Sequence, residues 1–249
     1  VSDNGDRVTR DGHNVANVHE RLRRDILSGE IPAGETSQLA LARELEVGRT
    51  PLREALRMLQ HEGLVISEPN RRVRVADLSA EDVEQLYSMR IALEAMAVRV
   101  TVPEFGSRQV AEMEGLLAQM DHYMRRQDLV GLRNPHRAFH ACLVAGAGER
   151  TATTISVLFD HAERYRVAFA GSDQLRWDER QIEHRAIGDA AASGDADLTV
   201  QRLIAHYLET SAKVFESLDP EYDPRRLRVT CAALAPGSER ALGASPSAG

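Results

Sequence analysis

Four histidines carry the most evident chemistry in this chain. His136 and His140 stand i and i+4 in a helical stretch, so both imidazoles lie on one helix face a turn apart. His184 comes 10 residues before Gly194, and His206 comes 12 after it. In an antiparallel helix pair turning at Gly194, those offsets put the two rings roughly 15 and 18 Å from the turn, at similar heights. Two such pairs facing each other across a bundle could bring three or four nitrogens to one divalent metal, since neutral imidazole suits zinc, nickel, iron or copper. Spacing leaves the alternative open, because nine histidines in 249 residues make chance pairs common and a buried histidine also serves as hydrogen-bonded core. His136-Arg137-Ala138-Phe139-His140 further has the ligand spacing of zinc proteases, but Arg137 stands where their general-base glutamate must be. With no Ser/His/Asp or Cys/His arrangement and no glycine-rich phosphate loop, a metal-dependent hydrolase ranks below a metal-sensing or ligand-binding protein.

The second set of chemical groups is an arginine row. In Arg49-Thr50-Pro51-Leu52-Arg53-Glu54-Ala55-Leu56, Pro51 suits the first turn of a helix, where a missing N–H costs nothing. Leu52, Ala55, Leu56 and Leu59 form one buried stripe, and Arg49, Arg53 and Arg57 run beside it. Arginines on the open face of a short helix after a tight turn are what major-groove reading requires.

The elements around these groups read as two blocks. Val18, Leu22, Ile26 and Leu27 mark an amphipathic helix stopping near Gly29, and Leu39, Leu41, Ala42 and Leu45 mark a second, short one. The arginine-bearing helix follows. Beyond Glu62-Gly63, the apolar run Leu64-Val65-Ile66, a turn over Glu68-Pro69-Asn70-Arg71-Arg72 and the alternation Val73-Arg74-Val75 predict a β-hairpin with a basic tip. This combination is a winged helix-turn-helix over residues 15–76. From Ser79 onward the pattern is helical only, over 80–101, 107–127, 129–145, 151–170, 174–193 and 195–217. The expectation is an all-α antiparallel bundle over 79–218, giving a mainly α protein. The Pro- and then Ala/Gly/Ser-rich residues 219–249 read as a disordered tail.

The sequence resembles the GntR-type bacterial transcriptional regulators. The run from His19 through Gly34 looks like that family's opening helix and turn, and Arg49 to Leu56 with Glu62-Gly63-Leu64-Val65 matches its reading helix and wing entry. The resemblance implies that Arg49, Thr50 and Arg53 contact DNA and that Asn70 and Arg71 sit on the wing. Three positions depart from the pattern: Gly48 replaces a helix-capping serine, Glu46 a turn glycine and Arg72 a wing-tip glycine. Arg90-Ile91-Ala92-Leu93-Glu94, Phe139-His140-Ala141-Cys142-Leu143, Glu183-His184-Arg185-Ala186-Ile187 and His206-Tyr207-Leu208 resemble the FCD ligand domain of the FadR-like branch. Carried over, the metal ligands are His140, His184 and His206, with His136 at a position usually acidic. The metal is divalent, zinc first, with nickel or manganese as alternatives. The resemblance also places Arg90 facing the effector pocket, where a guanidinium could clamp a carboxylate bidentately. The residues alone allow a helical ion pair with Glu94 instead.

Composition agrees with this reading. No window approaches the roughly 18 apolar residues of a membrane span, residues 1–17 are too polar for a signal peptide, and Cys142 and Cys231 form no metal or disulfide framework. The expected location is therefore cytoplasmic. The net charge of −7 is confined to the second block: residues 1–76 carry 12 arginines and 12 acids, and residues 49–75 carry six arginines and three acids. The basic footprint is local. A single winged helix offers few base contacts, so a homodimer on a near-palindromic operator in double-stranded DNA is expected. The switch expected is a small organic-acid effector at the metal, with repression the more natural sign. Metal occupancy should fall below roughly pH 6 as ordinary imidazoles protonate.

Overall fold

The apolar stripes of the first block close on one another as a small core. In the computed structural model, which describes residues 14–68, 72–169, 177–238 and 242, α1 (Val15–Leu27) buries Val18, Leu22 and Ile26. It packs against α3 (Arg49–His61), whose buried residues are the predicted Leu52, Ala55, Leu56 and Leu59. Between them α2 (Gln38–Glu44) contributes Leu41 and Ala42, whereas Leu39, which the periodicity had suggested for the core, is exposed. Ser37 caps α2 by accepting from the Ala40 N–H at 3.0 Å. Gly48 gives α3 no side-chain cap, and Glu46 in the turn takes φ 56°, a left-handed conformation that glycine would adopt without strain.

The wing is larger than the hairpin read from the sequence. The strands β2 (Val65–Glu68) and β3 (Arg72–Val75) are joined by β1 (Gly34–Ser37), and the order is β1-β3-β2 with both pairings antiparallel. Gly34-Glu35-Thr36-Ser37 has no apolar alternation, so nothing in its residue types announces a strand. It is recruited by the free edge of β3, and Glu35 accepts from Arg72 at 3.1 Å and from Arg74 at 3.3 Å. Asn70 and Arg71 lie outside the described residues.

The chain divides between Leu78 and Ser79. The second unit contains α4 (Ala80–Thr101), α5 (Ser107–Arg125), α6 (Leu129–Cys142), α7 (Glu149–Phe169), α8 (Trp177–Ala192), α9 (Ala196–Leu218) and α10 (Arg225–Leu234). Among its described residues there is no strand. Ser79 and Asp195 cap α4 and α9 through Asp82 N–H and Leu198 N–H. α4 is covered by α7, α9 and α10, and α5 lies against α6 and α8. Gly194, at φ 75°, turns α8 into α9. Gly188 lets α8 approach α5, since a Cβ there would sit 2.8 Å from Leu117 Cδ1. No helix among the described residues is long and apolar enough to cross a membrane.

The expectation of a disordered tail from residue 219 is corrected by α10. Leu227 and Cys231, four apart on one helix face, are fully buried. The buried carboxylate of Glu84 on α4 receives the Arg226 N–H at 2.5 Å, the Arg226 guanidinium at 2.8 Å and the Tyr222 hydroxyl at 2.8 Å. An acid from a distant helix thus supplies the N-terminal cap that the local sequence lacks.

Candidate functional site

The i,i+4 arithmetic on α6 and the turn at Gly194 bring the four histidines together. Ring centroids are 4.9 Å apart for His136–His140, 5.2 Å for His136–His184, 5.7 Å for His140–His206 and 4.4 Å for His184–His206. One nitrogen of each lies within 4.8 Å of the others, and all four side chains are buried.

Neighbouring groups set the tautomers. His184 Nδ1 donates to the Arg180 carbonyl at 2.7 Å, and His206 Nδ1 donates to Glu183 Oε2 at 2.7 Å. The Tyr207 hydroxyl donates to Glu94 Oε2 at 2.5 Å, so His140 Nδ1, 3.1 Å from the same oxygen, is the donor to it. In these three rings the outer nitrogen holds the proton and Nε2 keeps a lone pair. This is the arrangement that second-shell groups impose on metal-ligating imidazoles. His136 Nδ1 has no hydrogen-bond partner and lies 3.9 Å from Glu163 Oε2. Burial first, and the other rings second, hold His136, His140 and His206 well below the usual imidazole range. Burial lowers His184 to about 4. All four are therefore neutral at pH 7, and the threshold near pH 6 expected for ordinary histidines moves downward.

A divalent metal fits this donor set. Among the described residues the buried His136 Nδ1 and His184 Nε2 lack a hydrogen-bond partner, and an orphaned buried ring nitrogen is costly unless it meets a partner, which for a lone pair can be a cation. The cluster lines a cavity, part of it open to solvent, together with Tyr87, Arg90, Phe159, Glu163, Arg166 and Arg180.

The structure places Arg90 at the cavity and gives it the ion pair with Glu94 that the residues alone allow. Its Nε donates to Glu94 Oε1 at 2.9 Å and a terminal nitrogen donates to Tyr207 at 2.7 Å. The pair is buried rather than solvated. Burial penalises the Arg90 charge, and Glu94 more than offsets that, leaving the guanidinium firmly protonated. Sequence reasoning missed Arg180, Glu183, Tyr207, Glu163 and Arg166. Arg180, Glu183 and His184 are spaced i, i+3, i+4, so the helical face was legible, but the two residues that enter from α7 had no such signal.

In the first unit Arg49, Thr50 and Arg53 are exposed on the N-terminal half of α3. Arg53 Nε is 3.6 Å from Glu54, and Arg57 is held by the same carboxylate at 3.1 Å. Among the described residues Arg49 has no ion-pair partner, which leaves its charge the most available to a phosphate or a base edge.

A winged helix with an exposed arginine row, followed in the chain by a helical unit holding a buried histidine cluster, is the architecture of a DNA-binding regulator. The comparisons agree. Residues 14–75 match the bacterial regulatory proteins of the gntR family, and residues 85–209 match the FCD domain. The chain is 33% identical over 207 residues to the HTH-type transcriptional regulator BphR of Paraburkholderia xenovorans (strain LB400), covering 78% of this chain and 82% of that one. It is 28% identical over 198 residues to the HTH-type transcriptional repressor GlaR of Escherichia coli (strain K12), covering 75% and 89%. The solved structure of E. coli McbR/YncC superposes with a TM-score of 0.71 at 18% identity over 82% of this chain and 97% of that one, a likeness of fold. The protein belongs to the GntR family of transcriptional regulators, in its FCD-containing, FadR-like branch, and is a DNA-binding regulator rather than an enzyme.

Proposed function

We propose that this regulator is a homodimeric, cytoplasmic repressor whose operator affinity is set by a small carboxylate bound at a metal-containing pocket. The observation that carries the reading is the set of four buried neutral imidazoles with ligating atoms within 4.8 Å, two of them orphaned. His140, His184 and His206 are the assigned metal ligands, with His136 as the fourth nitrogen. When bound, a divalent metal, zinc before nickel or manganese, supplies a positive charge that neutral histidine ligands leave uncancelled and that attracts an acid group.

The chain's own residues do the rest. Tyr207, Glu183 and the Arg180 carbonyl hold the imidazoles in the tautomer that presents Nε2. The Arg90 guanidinium lies over the faces of Phe159 at 5.2 Å and Tyr207 at 4.3 Å and lines the same cavity as the histidines. Arg49, Thr50 and Arg53, with Asn70 and Arg71 on the wing, contact the operator. The effector must favour one arrangement of the paired chains over the other, with about 1–3 kcal/mol of coupling. The name of the relative GlaR supports repression as the sign.

Elemental analysis of untagged protein tests the site: stoichiometric zinc, nickel or manganese is expected. Absence of metal even after incubation with each would leave the histidines as polar pocket residues. Titrating operator affinity with metal alone separates this reading from a metal sensor, in which metal without any acid would suffice. Sedimentation tests the dimer, and a monomer at micromolar concentration both free and on operator DNA would sink it.

A further inference from the structure

The side of α4 that no other helix of the unit covers is apolar. Its exposed and half-exposed residues between Asp82 and Arg99 are Gln85, Ser88, Met89, Ala92, Leu93 and Met96, none of them charged. The charged residues of that stretch, Glu84, Arg90 and Glu94, are buried. Met89 is 49% exposed, Met96 43%, and Val100, one turn further on, 49%. At 100° per residue Met89, Ala92, Leu93, Met96 and Val100 fall within a sector of about 100°, and Met89 lies about 16 Å from Val100 along the axis. A surface helix ordinarily turns charge to water, as α5 does with Arg108, Glu112 and Glu114. A helix apolar all round is one that is covered on every side.

This stripe has a charge of opposite sign at each end. Asp82 stands at its start and accepts from the Tyr165 hydroxyl at 2.6 Å. Arg99 stands near its end and donates to Asp197 at 2.9 Å and to the Leu234 carbonyl at 3.1 Å. Both stay exposed. A two-fold axis crossing α4 midway between Arg90 and Ile91 is equally far from Asp82 and Arg99, from Gln85 and Met96, and from Met89 and Ala92. A second copy laid antiparallel about that axis sets Asp82 against the partner's Arg99, and Met89 against the partner's Ala92, large against small. A parallel copy in register would set Asp82 against Asp82 and Met89 against Met89. The stripe complements itself in the antiparallel sense.

We propose that this face of α4 is the two-fold contact between the helical units of two copies of the chain, with Met89, Ala92 and Met96 at its centre. This rests on the homodimer reading above and names its surface.

Sedimentation velocity of the full chain over a micromolar concentration series tests it in the parent, in Met96→Glu and in Val130→Glu, the last making a similar change at an 84% exposed position on α6. The parent and Val130→Glu should be dimers. Met96→Glu should dissociate at least about tenfold more readily, because it buries an unpaired charge in an apolar contact, and should keep the helical circular dichroism spectrum. A cross-link reads the same face by a second route. In a Cys142→Ser background, with Cys231 buried, Met89→Cys treated with a short bismaleimide should give a covalent dimer on denaturing gels, and Val130→Cys should not. A monomeric parent removes the homodimer reading and this inference with it. A dimeric parent in which Met96→Glu dissociates no more readily than Val130→Glu, or in which Met89→Cys cross-links no better than Val130→Cys, overturns the inference, leaves the homodimer standing and gives the face to another partner. If Met96→Glu loses its helical spectrum, the cross-link alone decides.

Discussion

The Arg90–Glu94 pair offers the sharpest test of how the pocket is held. Both side chains are almost fully buried, the Nε to Oε1 distance is 2.9 Å, and Tyr207 donates to the second Glu94 oxygen at 2.5 Å. Replacing Glu94 by Gln keeps the shape and an acceptor for Arg90 Nε but deletes the counter-charge. Charges about 4 Å apart at an effective dielectric near 20 interact by roughly 4 kcal/mol, and breaking a buried pair from one side costs about 3–5 kcal/mol. Allowing for the surviving neutral hydrogen bond, Glu94→Gln should lose about 3 kcal/mol. At roughly 2–4 °C per kcal/mol for a unit of this size, the melting point should drop by about 6–12 °C. Urea denaturation followed by circular dichroism, on chelator-treated protein so that bound metal does not add stability, measures it. Arg90→Met alone should cost a similar amount, because it strands the Glu94 carboxylate. The double variant should cost less than the sum of the two by about 2–3 kcal/mol. A loss below about 1 kcal/mol for Glu94→Gln, or strict additivity within about 0.5 kcal/mol, refutes the reasoning that this charge is desolvated and paired.

Three further expectations are independent of that pair. Arg49→Ala and Arg53→Ala should each weaken operator binding in gel-shift assays by about 1–3 kcal/mol if they read guanine edges, with specificity relaxed at one base position; unchanged affinity in both variants rejects the assignment of α3. The four imidazoles have folded pKa values below their unfolded value of 6.5, so the unfolded state takes up protons first. Metal-free stability should fall as pH drops from about 6.5 toward 4, by about 1.4 kcal/mol per pH unit for each ring. Glu183 acts in the opposite sense. Its folded pKa of about 8 stands above the unfolded value of 4.5, so its contribution is full below pH 4.5 and is lost as pH rises through 8. Four rings outweigh one carboxyl, which places the optimum of a pH series of melting temperatures near 6.5, and a monotonic rise to pH 8 would contradict it. Finally, Glu84→Ala should strand the Arg226 and Leu227 N–H groups and the Tyr222 hydroxyl that Glu84 now accepts, at about 1–3 kcal/mol. Hydrogen exchange should then rise selectively over Arg225–Leu234, and protection equal to the parent's would show that burial of Leu227 and Cys231 alone holds α10.

The helices and the histidine cluster were legible because both rest on local arithmetic. A 3.6-residue repeat decides which face of a helix is buried, and that was enough to read α3 and its arginine row. Two rings four residues apart share a face whatever else the chain does, and equal offsets from a turn at Gly194 put His184 and His206 at one height. β1 was not legible, since Gly34–Ser37 has no strand pattern and becomes a strand only because β3 presents an unpaired edge. α10 was hidden for a related reason: its two buried residues look like any sparse apolar pair until α4 lies against them.

The sequence by itself thus determined which groups face inward and how far apart they stand along the chain. Tertiary structure alone decided the partners that come from other helices. Tyr207 meets Glu94 across 113 residues of sequence, and Glu84 caps α10 across 142. Arg90 and Arg166, by contrast, find their carboxylates on their own helices, at Glu94 and Glu163. Periodicity encodes burial and pairs within one helix, but it does not say which groups meet across helices, because that depends on the few ångströms between side chains on different helices, a distance that only packing sets.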